Sequence, residues 1–84
     1  MSENQQAIFL RVRAAVCEAL GFSPRQIEIG SQLTEELDVD PVELDWLIDE
    51  LENQFGIDIM PAEAKAWRTV EDIVDFVTEQ LQPA

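Results

Sequence analysis

Ile8, Val12, Val16, Ala19 and Leu20 recur at three- and four-residue intervals, the spacing that lines one side of a helix, and Gly21 follows as a stop. The pattern predicts a first helix from Gln5 to Leu20. Leu10 and Cys17 lie off that stripe, seven apart, so they either widen the buried face or stay partly exposed. Ser23-Pro24-Arg25-Gln26 has the form of a capped single turn, with Ser at the N-cap, Pro at N1 and Gln at N3. From Glu28 to Glu36 periodicity is lost, which predicts a long ordered loop anchored by Ile27, Ile29, Leu33 and Leu37.

Leu44, Leu47, Ile48, Leu51 and Phe55 restore the helical spacing, giving a second long helix that opens at Pro41 and closes before Gly56. Ile57 and Ile59 read as an extended link that tucks two apolar side chains inward before a short helical segment, Pro61 to Ala66. Thr69 caps the last helix with an acid at N3, and Val70, Ile73, Val74, Val77 and Leu81 form its stripe, Phe76 beside it. No strand is required. The expectation is one all-α domain over residues 1–84, with its core about 5–81: three main helices, a short one and a long first loop.

Composition sharpens this picture. Eighteen Asp and Glu face five Lys and Arg, with no His, for a net charge of −13. Such a field disfavours nucleic acid and anionic membrane, and steers basic protein surfaces toward the chain. No Lys or Arg occurs between Gln26 and Ala64, where twelve carboxylates fall, so the acid is concentrated around the second helix. That face is either simply solvated or a docking surface. The apolar runs near Ala7–Leu10 and Ala14–Cys17 are broken by charge, so neither a signal segment nor a membrane span can be drawn; with a lone thiol, the chain reads as cytoplasmic.

Catalytic chemistry finds little footing. Without His or Tyr, no Ser or Cys has an evident base, and Cys17 reads as a packed thiol rather than a nucleophile. So small a domain also leaves little room for a cleft holding a carboxylate pair. No metal site is expected either: counted from Asp38, Val42 is fifth and Glu43 sixth, where a calcium loop of the EF-hand type needs a ligand and a glycine.

The stretch "LDVDPVELDWL" is more informative. Asp40 at the N-cap, Pro41 at N1 and Glu43 at N3 make a complete helix start, since a proline N–H would have no helical partner there anyway. At 100° per residue the core stripe centres near Leu44, which places Val42 and Trp46 on the opposite side, ringed by Asp45, Asp49, Glu50 and Asn53. An apolar anchor among acids suits docking to a basic partner. The alternative is that Trp46 folds down over the loop or a neighbouring helix, while Trp67 reads as core.

In order of elements the chain resembles the acyl carrier protein family. "LGFSPRQI" resembles the end of that family's first helix, "SQLTEELDVDPVEL" its approach to the attachment site, "LIDELENQFGIDIMP" its second helix and exit, and "WRTVEDIVDFV" the start of its last helix. The resemblance covers Leu20 to Val77 without a gap. It implies a small four-helix bundle that carries acyl, polyketide or aminoacyl groups on a 4'-phosphopantetheine arm, attached to a serine in an Asp-Ser-Leu type motif.

Asp40 matches that motif's aspartate and Val42 its apolar residue, but Pro41 stands at the serine and offers no hydroxyl. Ser2, Ser23 and Ser31 lack the helix-start context, and Cys17 cannot form the phosphodiester, so no phosphopantetheine is expected. Family contacts to partner enzymes correspond to Val42, Glu43, Trp46, Asp49, Glu52 and Asn53, with Trp46 where an acid is commoner and Asp49 where an apolar residue is. The resemblance therefore implies a monomeric, non-enzymatic interaction module tied to fatty acid, polyketide or nonribosomal peptide biosynthesis, docking to the basic surface of a synthase, transferase or ligase. The alternatives are a carrier modified at a non-standard residue and a bundle that binds lipid or another small molecule without a covalent bond.

Overall fold

Ser2 starts the first helix earlier than the apolar spacing indicates. Its hydroxyl accepts the Gln5 N–H at 3.2 Å while Gln5 Oε1 accepts the Ser2 N–H at 3.4 Å, a reciprocal cap that brings the polar residues 3–4 into the helix. In the computed structural model, which describes residues 2–82, α1 therefore spans Glu3–Leu20, and Gly21 closes it in the left-handed conformation at φ 80°. A single 3-10 turn, Pro24–Gln26, follows as expected from its capped form. Then come α2 (Pro41–Phe55), the four-residue α3 (Pro61–Ala64) and α4 (Val70–Leu81). Among the described residues there is no strand, only one isolated bridge between Gln32 and Thr69.

The core is where α1 packs against both α2 and α4. Because α1 serves two neighbours, it buries a face wider than one stripe: Phe9 and Ala15 join Ile8, Val12 and Val16, whereas Ala19 and Leu20 are only partly covered. Leu10 stays exposed and Cys17 is half-buried, so both possibilities left by their spacing are realised. Leu47 and Leu51 of α2, with Val70, Ile73 and Val77 of α4, are fully enclosed. Truncating such a leucine to alanine costs about 2–5 kcal/mol, a large share of the roughly 5–15 kcal/mol that holds a small domain together. Two stripe assignments need correction. Leu81 is 43% exposed because it lies a turn beyond Val77, past the end of the packed layer, and Leu44 is only partly buried because its side of α2 faces a groove.

The long first connection is held by its pairing with the start of α4. The N–H groups of Val70 and Glu71, which have no partner within their own helix, donate to the carbonyls of Ser31 and Ile29 at 3.0 and 2.8 Å. Leu33 N–H returns a bond to Arg68 C=O at 2.8 Å, and Thr69 Oγ1 accepts the Asp72 N–H. Ser31 is buried in this seam with its hydroxyl accepting the Glu28 N–H at 2.8 Å. Ile27 and Leu33 pin the loop to the core, Ile29 and Leu37 less deeply. Ile59 is likewise buried while Ile57 is half-covered.

Candidate functional site

Everything that the sequence marks out near residue 40 is delivered by a reversal at Asp38. Its φ of 54° lies in the left-handed region, which a short polar side chain tolerates better than most, and it turns the chain from the loop into α2. Val39 N–H then bonds Leu33 C=O at 2.9 Å, fixing the approach. Asp40 Oδ1 accepts the Glu43 N–H at 2.7 Å and Glu43 Oε1 accepts the Asp40 N–H at 3.2 Å, with Pro41 at the first helical position. The helix start has the form expected from its residues, and its geometry is set by local hydrogen bonds.

The outward side of α2 carries Val42 and Trp46, 56% and 53% exposed, so Trp46 does not fold down over the loop. Asp45, Asp49 and Asn53 are exposed around them. The other acids of the set have structural duties. Glu43 is held in the cap, Glu50 Oε1 accepts from Gln54 Nε2 at 3.3 Å, and Glu52 Oε2 accepts the Ile59 N–H at 2.9 Å; all three are half-buried. Met60, which the sequence reading did not single out, is the most exposed large apolar residue among the described residues at 64%. Its signal was its place just before Pro61, where a chain turning into a helix start leaves the preceding side chain outside.

On the inward side of the helix start lies an open groove of about 560 Å³. Leu44 and Ile48 of α2, Val39 and Leu33 of the loop, Ala64 of α3 and Trp67 form its apolar wall. Asp40, Pro41, Asp45 and Lys65 also line it. Trp67 is half-buried and held edge-on against Phe76, ring centroids 5.4 Å apart, so it is packed on the core as expected while also lining the groove. Four separate segments build this wall, which is why no local pattern announced it.

The structure also bears on where an acyl-carrying arm could be attached. Pro41 is exposed, but its ring carries no nucleophilic oxygen, so this position does not fit a phosphodiester-linked group. Thr34 is the one hydroxyl among the groove-lining residues; Ser31 is buried with its hydroxyl engaged, and Ser2 and Ser23 sit at other helix starts. Cys17 is half-buried on α1, and burial pushes its thiol above the ordinary range although Arg13 pulls weakly the other way. Among the described residues no three His, Cys, Asp or Glu side chains are arranged to hold a metal, and no helix is long and apolar enough to cross a membrane.

Residues 10–77 match a family model described as a phosphopantetheine attachment site. The chain is 32% identical to the acyl carrier protein of Thermosynechococcus vestitus over 93% of its own length and 96% of that protein's. It is 33% identical to the acyl carrier protein of Chlamydia trachomatis serovar D, covering 82% of this chain and 90% of the relative. Similarity to the acyl carrier protein of Campylobacter hominis is also 33%, over 83% and 89% of the two chains.

Proposed function

The chain belongs to the acyl carrier protein family, whose members are carriers in fatty acid or related biosynthesis and not catalysts, and from that premise we propose that this one acts by docking and bears no arm. Phosphopantetheine attachment is typical of the family, and its members interact with synthases and transferases. The observation that carries the proposal is Pro41 at the first position of α2, where the resemblance aligns the attachment serine. Around it the docking side of the helix is retained: Val42 and Trp46 exposed, Asp45 and Asp49 free beside them. The partner is then a carrier-handling enzyme with a basic surface, which the acids steer and the apolar pair anchors, with this chain as a monomer in the cytoplasm.

Two measurements test this reading. Incubation with coenzyme A and a broad-specificity phosphopantetheinyl transferase leaves the intact mass unchanged, while Pro41→Ser gains the arm; a mass gain on the parent chain would reinstate a carrier modified at a non-standard residue. Titration against the carrier-handling enzymes of the same genome finds a partner whose affinity falls with salt. It drops about tenfold or more for Trp46→Ala, since buried aromatic anchors contribute 2 kcal/mol and above. Absence of binding at any salt, with Trp46→Ala and Asp45→Lys indistinguishable from the parent, overturns it.

A second reading is favoured by the groove itself. A recess of this volume with an apolar wall is of the size that small ligands occupy, and with no arm at its mouth it would hold a free ligand rather than a tethered one. Extraction and mass spectrometry of the purified protein look for it directly.

A further inference from the structure

Only five residues of this chain are Lys or Arg, and two of them, Lys65 and Arg68, border one polar recess of about 510 Å³ between the 32–35 turn and the 65–69 segment. Gln32, Thr34, Glu35, Trp67 and Thr69 complete its lining. Thr34, Lys65 and Trp67 also line the apolar groove, so the two cavities adjoin along a shared edge. One half is largely aliphatic and aromatic, and the other presents two cations and two threonine hydroxyls against a single acid, Glu35. On a molecule with a net charge of −13, that is the reverse of the prevailing field.

The cationic half is built on fixed backbone. Arg68 donates its N–H to Asp72 Oδ2 and accepts the Leu33 N–H, each at 2.8 Å, so the segment is tied at both ends while the exposed guanidinium takes no part in those bonds. Thr69 Oγ1 accepts the Asp72 N–H at 3.2 Å, which leaves its hydroxyl hydrogen free to donate. Asp40 and Asp45 line the apolar groove but not the recess, so an anion is repelled on the groove side and not beside Lys65 and Arg68. A ligand with an apolar tail and one anionic head thus has a single favourable orientation, tail along Leu44 and Ile48, head toward Lys65 and Arg68.

We propose that Lys65 and Arg68 form the head-group subsite of a non-covalent site for a free amphiphilic acid, a long-chain carboxylate whose tail occupies the adjoining groove. The inference rests on the second reading above, that the groove holds an untethered ligand. Glu35 opposes the head group and sets a ceiling on its affinity, so Glu35→Gln tightens binding.

Calorimetric titration with decanoate and with decan-1-ol tests it on the full chain, because the two probes share a tail and differ in head charge. Decanoate binds about tenfold more tightly than the alcohol, the worth of one charge-assisted contact, and the preference disappears in the Lys65→Gln, Arg68→Gln double variant. Both positions are exposed, so circular dichroism of that variant matches the parent. Equal binding of the two probes overturns the cationic subsite and leaves the groove reading intact. Binding of neither removes both. A preference for decanoate that survives in the double variant places the head elsewhere and overturns the assignment of these two residues.

Discussion

Glu52 reaches past the end of its own helix to accept the backbone N–H of Ile59 at 2.9 Å, so an acid of α2 also anchors the link into α3. Ile59 is buried, and the carboxylate is what satisfies its amide. Asp49, three residues earlier, is exposed and is the acceptor in none of the side-chain bonds that fix α2.

Stability therefore separates these two acids. Glu52→Ala lowers the unfolding free energy by about 1–3 kcal/mol, because it leaves a buried N–H without a partner, and Glu52→Gln restores most of it by keeping an acceptor. Asp49→Ala stays within about 0.5 kcal/mol of the parent. Urea titrations of the three variants read the difference, and equal stability of Glu52→Ala and Asp49→Ala would contradict it.

Arg11 joins the far end of α2 to α1. Its guanidinium lies 4.3 Å from the centre of the Phe55 ring and donates to Gln54 C=O at 2.6 Å, one of the carbonyls that the helix end leaves unpaired. Arg11→Ala costs about 1–2 kcal/mol from the two contacts together. Arg11→Lys falls between, since an ammonium keeps the charge but cannot stack as a plane and donate sideways at once. Thermal denaturation ranks the series; a lysine variant as stable as the parent shows that the planar geometry is immaterial.

Asp38 holds a conformation that costs most side chains roughly 1–2 kcal/mol. Asp38→Val accordingly loses about 1–2 kcal/mol, its β-branch being poorly suited to positive φ. In Asp38→Gly, relief of that strain offsets the extra freedom of the unfolded chain, and stability stays near the parent's. A valine variant as stable as the glycine one, measured by urea unfolding, would mean that the reversal relaxes elsewhere.

Cys17 provides the pH dependence. Burial raises its thiol pKa in the folded chain above the unfolded value, so the folded state holds the proton more firmly. The contribution to stability is complete below the unfolded pKa and is lost as pH rises through the folded one, in the alkaline range. Cys17→Ala flattens that alkaline loss. Alkylation by iodoacetamide near neutral pH is slower than for the urea-unfolded chain, and a folded-state rate equal to the unfolded one counts against a shielded thiol.

How legible the protein was in its sequence depended on how local each feature is. Three amphipathic helices, Gly21 and Gly56 as stops, and the caps at Asp40 and Thr69 act within a few residues; the stops and caps are found where residue type placed them, and the stripes apart from their margins at Ala19, Leu20, Leu44 and Leu81. Pro41, and with it the question of the missing hydroxyl, needs only the chain itself. Spacing could not say that α1 serves two neighbours, and so buries Phe9 and Ala15, or that Leu81 runs past the core. Nor could it divide the acids of α2 into free ones and those holding the fold, since Glu52 meets its partner seven residues away across a turn. The groove and its cationic neighbour belong wholly to tertiary structure: Leu33, Leu44, Ala64 and Lys65 become one surface only when the loop is pinned to α4 and α3 closes against α2.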